Sequence, residues 1–207
     1  RAIARFVSLH PHNLAQKTQV IVEHFRQCVA HKIGGKAKAM IVTPSRPHVI
    51  RYKNEFDLYL KDKGYSDIRV LAAFTPFTDQ ETDIQYTEAD INGFGEKELP
   101  DKFGSDQYQI LIAAEKYQTG FDQPLLHTMY VDKKLSGVRA VQTLSRLNRV
   151  FPGKEDTFIL DFVNTEQEIS DAFQPYYEQT ILGATTDPNS LYDLKTEIEA
   201  YQIIWEA

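Results

Sequence analysis

The stretch Ala39-Met40-Ile41-Val42-Thr43-Pro44-Ser45-Arg46 runs from four apolar residues into a proline and then into a residue suited to cap a helix. So short an apolar run reads as a buried strand, Pro44 stops it, and the Ser45 hydroxyl can serve as an N-cap. Val49, Tyr52, Phe56 and Leu60 then line one helical face, and Gly64 stands where a left-handed C-terminal residue belongs. Ile68 to Phe74 is a second apolar run. Strand, helix and strand in this order make one βαβ unit, the element from which parallel sheets are built.

The same alternation continues outward. On the N-terminal side, Leu14, Ile21, Phe25 and Cys28 recur at helical spacing, with Asn13 as the expected N-cap, Gly34-Gly35 as the stop and Arg5 to Leu9 as a short strand ahead. On the C-terminal side, Tyr108 to Ala114, Leu126 to Val131 and Thr157 to Val163 read as strands, and Ser136 to Phe151 reads as a helix stopped by Pro152-Gly153. Residues 75–107 hold eight acids between Asp79 and Asp101 and show no clean period, so a long solvated insertion with a helical turn or two is expected there. Two acidic helical segments, about 165–182 and 189–206, close the chain, with Pro175 kinking or starting a turn in the first. The prediction is an α/β domain with a largely parallel central sheet, followed by C-terminal helices. Sites in such sheets lie beyond the carboxyl ends of the strands, where Thr43-Pro44-Ser45-Arg46, Glu115 to Asp122 and Asp132-Lys133-Lys134 are expected.

With 207 residues, 42% of them hydrophobic, the chain suits one domain plus an appendage. A single cysteine excludes an internal disulfide framework and a Cys-rich zinc site. No run approaches the roughly 18 apolar residues of a membrane span. The first residue is Arg1, without a signal-peptide pattern, so an excised piece of a longer protein is expected. The net charge of −6 speaks at face value against nucleic acid. It hides a split: residues 155–207 hold twelve acids and Lys195 alone among bases, net −11, and residues 1–154 carry +5.

Between Lys133 and Lys154 stand six bases and no acid. If the helix runs unbroken through this region, Gln142, Arg146 and Arg149 share one stripe, opposite Ala140, Leu144, Leu147 and Phe151. Two guanidiniums on an open face suit phosphate oxygens; on spacing alone, a solvated basic face or ion pairs with the acidic tail fit equally. The loop Tyr117-Gln118-Thr119-Gly120-Phe121-Asp122 is either an ordinary turn or a backbone approach to a ligand through Gly120. Other patterns fail. Gly34-Gly35-Lys36 has Ala30 and Ala37 where a phosphate-binding loop needs glycine and a hydroxyl. Thr87-Glu88-Ala89-Asp90 has no strand before it and reads as surface, and His10-Pro11-His12 has no third ligand nearby and reads as a loop.

The order of these segments is informative. Met40 to Arg46, then Ile110 to Ala114 with Thr119-Gly120-Phe121-Asp122, then Gln142-Thr143-Leu144-Ser145-Arg146-Leu147-Asn148-Arg149 resembles motifs IV, V and VI of the second RecA-like domain of superfamily 2 helicases and translocases. Gln123 to Lys133, Asp161-Phe162-Val163-Asn164 and Ala172 to Tyr177 narrow the likeness to the R (motor) subunit of type I restriction enzymes.

The resemblance implies a RecA-like three-layer motor domain over residues 1–164 and the start of a helical region over 165–207. It implies that Arg146 and Arg149 are arginine fingers for the γ-phosphate of ATP held by a first RecA-like domain. Gln142, Gly120 and Asp122 would line the ATP cleft, and Thr43, Ser45 and Arg46 would touch the DNA backbone. Ala114 and Glu115 replace a threonine common at the end of the motif V strand, leaving Thr119 as the candidate for that hydroxyl contact.

ATP and Mg2+ would be bound mainly by the first motor domain, with no metal site in this chain. Double-stranded DNA and the methylation and specificity subunits would be partners in a bacterial or archaeal cytoplasm, with no membrane involved. The isolated chain would be inactive. Two rival readings remain from sequence: the motor domain of a helicase or remodeller outside restriction, and a non-enzymatic module that binds DNA or a partner through 133–154.

Overall fold

A computed structural model describes residues 9–80, 82–117 and 121–182. Helix α1 (Pro11–His24) continues through a π-helical segment (Phe25–Val29) and precedes strand β1 (Lys38–Val42). Helix α2 (Arg46–Lys63) and strand β2 (Val70–Ala73) complete the βαβ unit. A hairpin of β3 (Phe77–Thr78) and β4 (Gln85–Tyr86) leads to the short helices α3 (Glu88–Asn92) and α4 (Leu99–Gly104). Strands β5 (Ile110–Ala113) and β6 (Leu126–Val131), helix α5 (Gly137–Leu144), strand β7 (Phe158–Asp161) and helix α6 (Glu166–Leu182) follow. The expected strand at 5–9, the middle of the loop at 118–120 and the second acidic helix at 189–206 fall wholly or mainly outside the described residues.

Five strands form one sheet in the order β2-β5-β1-β6-β7, and each pairing is parallel. Its inner strands are buried on both faces, which is why they read as unbroken apolar runs. Alternate residues serve opposite layers. Ala39 and Ile41 join Ile21, Phe25, Tyr52 and Phe56 of the α1/α2 layer, whereas Met40 and Val42 join Phe103, Leu144 and Ala172 of the α4/α5/α6 layer. This is the three-layer RecA-like architecture anticipated from the motif order.

Neighbouring strands β1 and β6 send their connections in opposite directions, β1 through α2 to β2 and β6 through α5 to β7. Their carboxyl ends therefore open a crevice at a topological switch point. Among the described residues, no helix is long and apolar enough to cross a membrane.

Three local expectations are corrected. His10, not Asn13, occupies the N-cap of α1, and its ring accepts from the His12 backbone N–H. Residues 75–107 are not a solvated insertion: Leu99 and Phe103 are fully buried and pack into the core. Pro100 and Gly104, which blur the period in the sequence, lie in the first and last turns of α4. Glu88 is buried at 3% exposure rather than on the surface, with Thr87 and Asp90 forming a capping box around it.

Candidate functional site

The sequence-nominated residues separate onto two edges of the sheet. At the carboxyl edge a cleft of about 840 Å³ gathers Ser45, Arg46, His48, Lys17, Asp132 and Lys134. Thr43 lies beneath it, fully buried, with its hydroxyl donating to the Ala113 carbonyl at 3.1 Å. Ser45 takes the N-cap position of α2 in extended backbone, but its hydroxyl is bonded to His48 Nδ1 at 2.7 Å instead of a helix N–H. Arg46 is half-buried, donates to the Pro76 carbonyl at 3.3 Å and lies over the Phe77 ring. Both oxygens of the buried Asp132 carboxylate are engaged, by Lys17 Nζ at 2.6 Å and the Tyr52 hydroxyl at 2.7 Å. Burial first, and then the Asp132 carboxylate, push the Tyr52 hydroxyl well above the ordinary tyrosine pKa. Lys134 pairs with Glu168 at the start of α6.

The loop that follows β5 leaves the same edge. Glu115 and Tyr117 hold left-handed backbone at φ 58° and 61°, a region that costs non-glycine residues on the order of 1–2 kcal/mol each. Lys116 between them is tied to Glu88 at 2.9 Å and Glu96 at 2.5 Å. Glu88 also accepts from the Phe74 N–H, and burial raises its carboxyl pKa against the pull of these partners. Thr119 and Gly120 lie outside the described residues.

Asp122 is not at the carboxyl edge. The loop returns to the amino end of β6, and α5 brings the chain back to that same end. Here the helix expected to reach Phe151 stops at Leu144 and tightens into a 3₁₀ turn over Ser145–Asn148, leaving Arg149 extended. Ser145 and Asn148 are weak helix formers. Three residues per turn in place of 3.6 rotate the following side chains, so the expected open stripe is broken: Gln142 and Arg149 are exposed, whereas Arg146 is buried at 7% exposure.

Arg146 Nη1 donates to the Phe121 carbonyl at 3.3 Å, and its buried Nε has no hydrogen-bond partner among the described residues. Burial and then the neighbouring Arg149 lower its pKa. Arg149 Nε donates to Asp122 Oδ1 at 2.9 Å. The arrangement is a desolvated guanidinium with an unpartnered donor beside a second, more exposed charge, which suits a polyanionic oxygen cluster.

Sequence reasoning missed Lys154 and Glu88. Lys154, counted only as one of six bases in the 133–154 run, is half-buried and donates to four backbone carbonyls. Its position after the Pro152-Gly153 turn carries no local sign of this. The described residues hold no group of three or more His, Cys, Asp or Glu able to cage a metal ion.

Residues 79–164 match the family model of type I restriction enzyme subunit R domain 3. The type I restriction enzyme MjaVIIP endonuclease subunit of Methanocaldococcus jannaschii is 29% identical over 185 residues, 84% of this chain and 17% of that protein. The HindI endonuclease subunit of Haemophilus influenzae is 28% identical over 172 residues, 79% of this chain and 16% of its own length. The chain thus spans about a sixth of these curated relatives. Among solved structures, T4 UvsW aligns at a TM-score of 0.49 with 12% identity, covering 84% of this chain and 34% of that one. The family model and these relatives point the same way: the chain is similar to the R subunits of type I restriction enzymes.

Proposed function

We propose that this chain is the second motor domain of a type I restriction endonuclease R subunit, one that translocates double-stranded DNA at the expense of ATP. The observation that carries this reading is Arg146: a buried guanidinium with an unpartnered Nε, beside Arg149, on the amino edge of the sheet. ATP held by a first RecA-like domain would face that edge, with Gln142, Gly120 and Asp122 near the cleft. Arg146 and Arg149 would place their donors on γ-phosphate oxygens and offset the charge that develops as the phosphoryl group transfers, an effect worth about 10³–10⁵ in rate in other nucleotide hydrolases. Mg2+ bound with ATP on the first domain would add neutralisation of the same oxygens. The described residues of this chain offer no cage of their own for it.

DNA would run over the carboxyl-edge cleft, with Ser45 and Arg46 reaching its backbone and Thr43 shaping the floor. The domain would extend to residue 164, with α6 opening the helical region that follows. Methylation and specificity subunits would complete the assembly. The test uses the complete subunit: Arg146→Ala and Arg149→Ala should abolish ATP turnover while nucleotide still binds. Normal turnover in both variants refutes the finger role, and DNA-stimulated ATPase from the isolated chain refutes the division of labour between domains.

A further inference from the structure

We propose that Lys154 is the positioning residue of the arginine pair, an ammonium that fixes the segment bearing Arg146 and Arg149 against the segment bearing Phe121 and Asp122. This rests on the reading of Arg146 and Arg149 as phosphate-facing groups. Lys154 Nζ lies 3.2 Å from the Pro124 carbonyl and 2.7 Å from that of Leu126, on the segment entering β6. It lies 2.6 Å from the Leu147 carbonyl and 2.9 Å from that of Arg149, on the segment leaving the 3₁₀ turn. Three ammonium protons are thus shared among four carbonyls, two from each segment. The carbonyls at Leu147 and Arg149 stand where a helix end leaves acceptors without intrahelical donors, and a cation is favoured there.

The logic depends on what the arginines give up. Among the described residues, the other hydrogen bonds between the two segments are made by the arginines themselves, Arg146 to the Phe121 carbonyl and Arg149 to Asp122. A guanidinium that turns to a phosphate releases or loosens such a bond. Lys154 then remains as the tie that keeps both arginine backbones in place. An arginine would not substitute, because a planar fork cannot converge on four carbonyls as a tetrahedral ammonium does. Nor, among the described residues, does a carboxylate contact Lys154, so there the group is bound by the carbonyls it draws together and not by an ion pair.

The test is a double-mutant cycle in the complete subunit, read by single-turnover ATP hydrolysis and by ATP affinity. Lys154→Met should slow hydrolysis by about tenfold to a hundredfold, as misplacement of catalytic groups by an ångström does. ATP affinity should move by less than about twofold, because the lost contact acts in the transition state. In an Arg149→Lys background, which keeps a charge and a residual rate to measure, the same substitution should cost much less, since its effect passes through the arginine. An equal fractional loss in both backgrounds marks a merely structural role and overturns the proposal, as does no loss at all. If Lys154→Met reduces the fraction of subunits that bind ATP, Lys154→Gln, which retains two donor protons, carries the same cycle with the same expectations. Normal hydrolysis in the arginine variants defeats the finger reading itself. Loss in those variants with an unaffected Lys154→Met defeats the positioning role alone.

Discussion

At the carboxyl edge of the sheet Lys17 faces Asp132, Lys116 faces Glu88 and Glu96, and Lys134 faces Glu168. At the amino edge Lys38, Arg146 and Lys154 are drawn into the protein on backbone carbonyls. At the first edge these lysines are paired with carboxylates. At the second, although the exposed Arg149 pairs with Asp122, the three cations drawn inward have no contacting carboxylate among the described residues, and each has its pKa lowered with burial as the first cause; for Lys38 it falls to about 8. A buried charge that lacks a partner is costly to the free domain. It is also pre-organised for an incoming anion, because few protein dipoles need to reorient when the anion arrives. One edge is built as a settled scaffold, and the other is left electrically incomplete.

The largest test of this contrast exchanges charge for shape at its centre. Arg146→Met in the complete subunit should cut ATP turnover by about 10³ or more. In the 207-residue chain the same substitution should leave the melting temperature unchanged or raised, because it removes a buried cation and keeps most of the volume. A chain that melts several degrees lower would make Arg146 a structural residue and erase the contrast.

The carboxyl edge should respond in the opposite sense. Asp132→Ala strands the fully buried Tyr52 hydroxyl and the partly buried Lys17 ammonium, and since breaking a fully buried pair costs about 3–5 kcal/mol, a loss of about 2–3 kcal/mol is expected. Urea unfolding of the chain should show this as a lower midpoint at constant slope. A loss under about 1 kcal/mol would mean that the edge is not balanced by this network.

Lys38 gives the amino edge a pH signature. Its folded pKa of about 8 lies below the ordinary 10.5, so between these values the unfolded chain binds the proton more tightly than the folded one. The stability that this lysine withholds at neutral pH is recovered as pH rises through that window. Urea unfolding should therefore show Lys38 adding on the order of 1 kcal/mol of stability between pH 8 and 9.5. Lys38→Met should flatten that rise, and an identical pH slope in the variant would contradict the uncompensated burial of Lys38.

Legibility followed the same division. Strands buried on both faces announce themselves as runs such as Ile110-Leu111-Ile112-Ala113, because a parallel sheet demands apolar residues at successive positions. The packing of Leu99 and Phe103 was hidden because one helical turn shows no period, even though their spacing of four fits a single face. At the site, residue types in order were enough to nominate Arg146 and Arg149. Their environments were not, since the turn that buries Arg146 forms where Lys154 and the Phe121 segment meet it, at sequence distances no periodicity spans. Glu88 failed for the same reason: its partners Phe74 and Lys116 lie 14 and 28 residues away.

The smallest expected effect concerns the carboxyl edge as a track. Arg46 is half-buried over the Phe77 ring, and its hydrogen bonds to Pro76 and Thr75 are long, at 3.3 and 3.4 Å, so its fork is held loosely at the mouth of the cleft. If DNA passes there, Arg46 engages one phosphate, and Arg46→Ala in the complete subunit should reduce the slope of log affinity against log salt by about 1. Arg46→Lys should restore that slope, because counterion release depends on the charge and not on the fork. A slope that is unchanged in the alanine variant would move the DNA off this cleft. The balanced edge would then be scaffold only, and the amino edge the one functional face of the sheet.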